Sequence, residues 1–230
     1  MKQIVRPPSL VVAAAKSIRQ EIIRGKLLPG EPLHEIDLSR TLNISRGTVR
    51  EALRLLQQEG LVEAIPYRGA FVAKLTPQKV KEIYTLRSIL EPYAVRLSME
   101  NNAFSAEDVE EMKNLVKRLG DLEADGDYSE NIQADIKFHE VISQRCQHGL
   151  LLDVLSNLQS MTLMFILNTK LYQSDMVTDE VSHQAILDGI LSGDPETAEK
   201  VVQQHIVDAG SWLIKRMEAI DWEKEYITYK

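Results

Sequence analysis

Asn43-Ile44-Ser45-Arg46-Gly47-Thr48-Val49-Arg50-Glu51-Ala52-Leu53-Arg54-Leu55-Leu56 is the most informative segment of this chain. It reads as a short turn, a capped helix start and a two-faced helix. Val49, Ala52, Leu53 and Leu56 recur at i, i+3, i+4 and i+7, which makes one apolar stripe. Arg46, Gly47, Arg50 and Arg54 lie away from that stripe. A helix anchored by one face and cationic on the other, with its N-terminus outward, suits the major groove of DNA. A solvated basic helix would carry similar charges, so the flanking sequence has to decide between the two.

Residues 33–42 form a short helical segment with Leu38 and Leu42 on one face, and Asn43 suits its C-terminal turn. Two short helices joined by a tight turn make a helix-turn-helix. Residues 61–65 and 70–74 suit strands, and Pro66 with Gly69 supplies the turn between them. That is a wing with Arg68 at its tip. Upstream, Ala15, Ile18 and Ile22 keep helical spacing. The apolar run 10–15 therefore reads as part of a first helix rather than as a secretory signal.

These residues resemble the GntR family of bacterial transcription regulators, in its FadR-like branch. The resemblance is carried by Leu28-Pro29-Gly30-Glu31-Pro32-Leu33, Ser45-Arg46, Val49-Arg50-Glu51-Ala52-Leu53, Glu59-Gly60-Leu61-Val62 and Arg68-Gly69-Ala70-Phe71-Val72. It runs from about residue 18 to residue 74 and implies a winged helix-turn-helix over residues 1–75. The family usually has Thr-Pro where this chain has Gly47-Thr48; proline pre-forms a first helical turn and glycine loosens it. The expected DNA-binding residues are Ser45, Arg46, Gly47, Thr48, Arg50, Arg54, Arg68 and Gly69. Arg46 and Arg50 suit guanine, whose O6 and N7 accept a guanidinium fork. Ser45 and Thr48 suit phosphate, and Arg68 with Gly69 lets the wing approach the minor groove or backbone.

The chain has 230 residues and a formal charge of −7, an odd balance for a DNA binder until it is divided. Residues 1–75 sum to +5 and residues 76–230 to −12. A basic head on an acidic body fits one module drawn to phosphates and another repelled by them. Cys146 is the single cysteine, which excludes an intrachain disulfide and points to a reducing compartment, the cytoplasm. Its expected role is packing. The apolar run 161–167 is too short to span a membrane and has polar flanks.

Residues 76–230 read as an all-helical bundle. Thr76-Pro77 opens its first helix, with Val80, Ile83, Leu86, Leu90, Ala94 and Leu97 as the expected apolar face. Ser105 with Asp108 is a variant capping box, and 120–128 reads as an acidic, glycine-containing connector. Helices follow over 129–147, 150–172 and 178–191. Gly193-Asp194-Pro195 then ends one helix and caps the last.

Asp135 and His139 stand at i, i+4 and share a helix face. His183 and His205 lie on the last two helices, which the turn at Gly193 could bring together. One carboxylate and three imidazoles suit zinc or a similar divalent transition metal, nickel among them. Spacing alone is weak support, because a lone helical histidine is more often packed or exposed than a ligand.

The region from about residue 80 to residue 207 resembles the FCD effector-binding domain of the same branch. Asp135-Ile136-Lys137-Phe138-His139, then His183 to Ile190, then Gly193-Asp194 with His205-Ile206, match its three histidine motifs. The resemblance implies a metal held by Asp135, His139, His183 and His205, which helps to hold a small carboxylate effector. Arg87 and Asn168 are candidate effector contacts, with Thr162 a weaker one. Arg87 could instead pair with Glu91 one turn away, and Asn168 or Thr162 could bond backbone. The flanking Ser182 and Gln184, and the lack of arginine between Arg145 and Arg216, depart from the family pattern and point to a less anionic effector or a different grip. His34 in a loop and His148 after a helix end, where an imidazolium would suit the dipole, fall outside the metal set.

The expectation is therefore a homodimeric, effector-responsive regulator of a palindromic operator, a repressor released by a small organic acid. A metal-dependent hydrolase fused to a DNA-binding head would use the same four ligands, but Ser143 stands where a zinc-protease motif needs its second histidine. A metal-free pocket for an acyl thioester is a third reading, against which the filled ligand positions argue.

Overall fold

The computed structural model describes residues 9–74, 76–125, 128–167 and 180–219. Helix α1 (Leu10–Ile23) starts at Ser9, whose hydroxyl accepts from the Val12 N–H, and it buries Ala14, Ala15, Ile18 and Ile22. Helix α2 (Glu35–Leu42) ends at Asn43, whose φ of 52° is left-handed. The Asn43 and Ile44 N–H groups bond back to Arg40 and Ser39 carbonyls, closing the helix as the sequence anticipates. Helix α3 (Arg46–Gln58) buries the expected stripe of Val49, Ala52, Leu53 and Leu56 against the core that holds Ile18, Ile22, Leu61 and Val72. Val49, Leu53 and Leu56 each contribute about 1.5–3 kcal/mol on burial. Arg19 of α1 donates to Glu59 at the end of α3 at 2.8 and 2.6 Å, which fixes the two helices end to end.

The wing is a three-stranded antiparallel sheet in the order β1 (Pro32–Leu33), β3 (Gly69–Val72), β2 (Val62–Ile65). The β2–β3 hairpin pairs Val62 with Val72 and Ile65 with Gly69. Tyr67 and Gly69 take φ of 61° and 100° in its turn, and exposed Arg68 stands at the tip. Strand β1 escapes a reading of the sequence. It is too short to show a period, and its register is set by Phe71 and Ala70 across the sheet.

The second half is a bundle of α4 (Pro77–Glu100), α5 (Ala106–Asp125), α6 (Tyr128–Ser143), α7 (Gly149–Leu167), α8 (Glu180–Leu191) and α9 (Pro195–Ala219). Thr76 caps α4, accepting from Lys79 N–H at 3.2 Å. Ser105 and Asp108 exchange the two bonds of a capping box. Asp194 accepts from the Glu196 and Thr197 N–H groups at the start of α9. Two close approaches bring the bundle together. A Cβ on Gly210 of α9 would come within 2.7 Å of Tyr84 Cβ on α4, and one on Gly189 of α8 within 3.3 Å of Ala198 Cα on α9.

Three local expectations are corrected. The acidic stretch after Gly120 is not a connector at its start, since α5 continues to Asp125. Buried Met112, Val116 and Leu119 favour continuing that helix, against about 1 kcal/mol for one helical glycine. The inward face of α4 is rotated, with Leu86 exposed and Tyr84, Arg87, Ser88 and Glu91 buried. Helix α6 stops at Ser143 rather than near 147, and Gln147 has φ of 56°. His148 serves the next helix: its Nδ1 lone pair accepts the Leu151 N–H at 3.2 Å. Helix α7 spans 19 residues and is long and apolar enough by composition to cross a membrane, a test that the core helix of a soluble protein also passes. Leu158, Met161, Met164, Phe165 and Ile166 on it lie in the hydrophobic core. Cys146 is buried beside Ala94, Leu151 and Leu155, the packing role expected of it.

Candidate functional site

The close contact at Gly189 sets α8 against α9, and α6 completes the cluster. Asp135 and His139 of α6, His183 of α8 and His205 of α9 each offer one ligand atom, all within 4.8 Å of one another. Asp135 Oδ1 lies 3.0 Å from His183 Nε2 and 3.9 Å from His139 Nε2. The His183 and His205 ring centroids are 4.6 Å apart, and those of His139 and His205 are 5.2 Å apart. His139 and His183 are almost wholly buried. Burial pushes the Asp135 carboxyl up, but His183, 3.0 Å away, and the neighbouring imidazoles outweigh it and hold the acid well below its usual range. Burial, with His183 and His139 alongside, pushes His205 well below its usual 6.5. The set is therefore a carboxylate with an imidazole kept neutral, the forms in which these side chains bind metals.

The outer nitrogens are also held. His139 Nδ1 lies 2.9 Å from Glu91 Oε2, and His205 Nδ1 lies 3.1 Å from Ser182 Oγ. Each contact places a polar partner beside Nδ1 and leaves Nε2 for the centre, the usual arrangement of metal-binding histidines. Glu91 is fixed in turn by Arg87, whose Nε donates to Oε1 at 2.5 Å, both side chains being buried. Burial would raise the Glu91 carboxyl, yet Arg87 and His139 bring it down to about 2. The donor types, their spacing and these supporting contacts all fit a divalent transition metal. Glu91 is the residue that reading the sequence missed as a supporter of the centre; the α4 spacing gave only its pairing with Arg87.

Arg87 is thus engaged with Glu91 and stacks over the Tyr84 ring at 5.0 Å. Thr162 is buried and donates to the Leu158 carbonyl at 2.9 Å. Asn168 lies outside the described residues. Beside the centre, a cavity of about 240 Å³ between α4, α6 and α7 is lined by Glu91, His139, Ser143 and Gln159, among others.

In the N-terminal half, Ser45 caps α3 by accepting the Thr48 N–H at 3.1 Å, and its Oγ lies 2.8 Å from Thr48 Oγ1. A Cβ on Gly47 would meet only Ser45 Oγ, at 3.7 Å, so space does not require glycine there. Arg46, Arg50, Arg68 and Gly69 line one concavity between the starts of α2, α3 and the wing. Arg54 lies further along α3 and pairs with Glu51 at 2.6 Å. Arg68 sits 5.4 Å over the Phe71 ring. Glu35 joins the concavity unannounced by any sequence period. It accepts from Arg50 Nε and Nη2 at 2.8 and 2.7 Å and lies 3.7 Å from Arg46 Nη2. The Arg50 hydrogen bond lowers its carboxyl from the usual value.

Comparison with known proteins accounts for both halves. Residues 10–72 match the family of bacterial regulatory proteins, gntR family, and residues 82–208 match the FCD domain. A probable D-xylose utilization operon transcriptional repressor of Paenarthrobacter nicotinovorans is 31% identical over 191 residues, 82% of each chain. The gluconate operon transcriptional repressor of Bacillus licheniformis is 26% identical, covering 93% of this chain and 91% of its own. Among solved structures, a putative GntR transcriptional regulator from Rhodococcus sp. RHA1 has a TM-score of 0.74 at 23% identity, covering 90% of this chain and 98% of its own. Escherichia coli McbR/YncC has a TM-score of 0.75 at 21% identity, covering 92% and 100%. These two support the fold alone. The families and relatives are transcription regulators and not enzymes, so the hydrolase reading finds no support. With a cationic reading helix, a wing and a helical effector module, the chain belongs to the gntR family of bacterial regulatory proteins, in its FCD-bearing form, and is a DNA-binding transcription regulator.

Proposed function

We propose that this regulator is a cytoplasmic homodimeric repressor, released from its operator by a small carboxylate bound at a metal held by Asp135, His139, His183 and His205. The observation that carries the reading is the convergence of those four donors from α6, α8 and α9. Zinc is the first choice for three imidazoles and a carboxylate, with nickel or another first-row ion as alternatives. When bound, the metal supplies a Lewis-acidic anchor for a carboxylate. Arg87 acts here through Glu91, and Asn168, next in sequence after α7, is proposed as a wall residue. The cavity beside His139 gives room for a small polar molecule. One relative is named as the repressor of a gluconate operon, and gluconate is itself an organic acid.

Dimerisation is supported by an apolar stripe that faces solvent in one chain. Leu86, Ile89 and Tyr93 on α4, with Leu150 and Val154 on α7, are exposed, and the two helices pack on each other. Such a patch needs a cover, and a second copy would set two heads on a palindrome. Arg46 and Arg50 read guanine, Ser45 and Thr48 hold phosphate at the α3 N-terminus, and Gly47 allows close backbone approach. Arg54 reaches the DNA backbone, and Arg68 with Gly69 carries the wing to it. The effector acts by binding the two dimer arrangements unequally.

The test is a thermal-shift screen of small organic acids against zinc-loaded and chelated protein. A ligand at 100 times its Kd stabilises by about 2.7 kcal/mol. Stabilisation that needs the metal supports the reading; equal stabilisation with and without it counts against the metal as anchor.

A further inference from the structure

We infer that Glu35 is a positioning residue for DNA reading: it holds the Arg50 guanidinium edge-on, and the base preference set by Arg50 depends on it. This rests on the reading of Arg50 as a base contact. Glu35 accepts from Arg50 Nε and from one Nη2 hydrogen, at 2.8 and 2.7 Å. Glu35 leaves both Nη1 hydrogens and the second on Nη2, and one from each nitrogen makes a second fork that matches guanine O6 and N7. The same carboxylate stands 3.7 Å from Arg46 Nη2, between the two arginines expected to meet bases.

Charge gives the second half of the argument. Among the described residues, Glu35 is the only acid lining a concavity that also presents Arg46, Arg50 and Arg68. A carboxylate facing DNA phosphates weakens binding to every sequence alike. It is useful there only if it sharpens the choice among sequences, which a fixed arginine fork does and a free one does less well. The side chains are 52% and 27% exposed, so the pair is open to a base edge. The competing role is local. Glu35 lies in the first turn of α2, where His34 makes no side-chain cap, and an acid there favours the helix dipole.

Aspartate separates the two roles, because it keeps the charge at the helix start but loses the reach for two bonds. Full-length protein is used to enrich duplexes from a randomised pool. Binding is then measured to the enriched duplex, to its guanine-substituted versions and to mixed-sequence DNA. Glu35→Asp and Glu35→Ala are expected to lower the preference for guanine at the Arg50-dependent position about ten-fold, within the range for one bidentate contact. Mixed-sequence binding stays equal or rises, and Glu35→Asp melts as wild type does. Wild-type preference in Glu35→Asp, beside its loss in Arg50→Ala, overturns the inference. So does a fall in melting temperature with preference intact, which assigns Glu35 to α2. If Arg50→Ala leaves every preference unchanged, the base-contact reading itself fails.

Discussion

Glu91 Oε2 stands 2.9 Å from His139 Nδ1, and both side chains are buried. This contact fixes which nitrogen of His139 faces the metal-binding cluster. Removing such a partner typically lowers metal affinity 10–100-fold, roughly, with every ligand intact. Glu91→Ala alone is a poor test, because it strands the Arg87 charge at a cost of about 3–5 kcal/mol. The double change Arg87→Met with Glu91→Met removes both charges and is expected to keep the fold by circular dichroism. Zinc affinity, measured by competition with a chelator, falls by that factor. Unchanged affinity would mean that Glu91 serves packing alone.

Gly189 gives a second handle on the centre without touching a ligand. A Cβ there meets Ala198 backbone at 3.3 Å, so Gly189→Ala pushes α8 from α9 and moves His183 relative to His205. Overpacking of this kind costs about 1–3 kcal/mol. The expected outcome is a lower melting temperature together with weaker metal binding. A lower melting temperature at full metal affinity would show that the helices relax elsewhere.

Acid stability of the metal-free protein follows from His205. Its folded pKa is depressed below 6.5, so the unfolded chain takes up the proton first. The neutral imidazole therefore costs nothing above pH 6.5, and stability falls as pH drops below that value. Glu91, held to about 2 against a usual 4.5, adds stability that is full above 4.5 and lost as pH falls towards 2. Melting temperatures of chelated protein should decline below pH 6.5, and His205→Gln should flatten the part of that decline between 6.5 and 5, roughly. An identical slope in the variant would place the titrating group elsewhere.

On the DNA face, Arg50→Ala is expected to weaken binding to an enriched duplex by about 1–3 kcal/mol and to relax one position of its sequence. Arg54→Ala, on the backbone side, should weaken all duplexes alike and reduce the salt dependence. Anisotropy titrations at two salt concentrations distinguish the two. A uniform loss with Arg50→Ala would make it a phosphate contact.

The reading helix was legible in the sequence because its stripe is local: Val49, Ala52, Leu53 and Leu56 obey one period, and Ser45 caps it within a single turn. The metal set was half legible. Asp135 and His139 share a turn of helix, but the turn at Gly193 only allowed His183 and His205 to approach and the resemblance had to add the rest, since the distance depends on how Gly189 meets Ala198. What stayed hidden is non-local or runs against hydrophobic pattern. Glu35 finds Arg50 across 15 residues of sequence. On α4 the buried charges Arg87 and Glu91 take the inward face, and Leu86 turns outward to the stripe proposed as a dimer surface. There the chemistry of the centre overrides the apolar period that marks an ordinary core helix.

A metal bound by four residues of the effector domain underlies the proposed switch, and metal content is its simplest readout. Protein stripped with chelator, reloaded with zinc and freed of excess is analysed by mass spectrometry beside His183→Ala treated identically. About one metal per wild-type chain is expected, from a single four-ligand site, and little in the variant with its helical content kept. Wild-type protein that retains no metal, or a variant that retains as much, would contradict it.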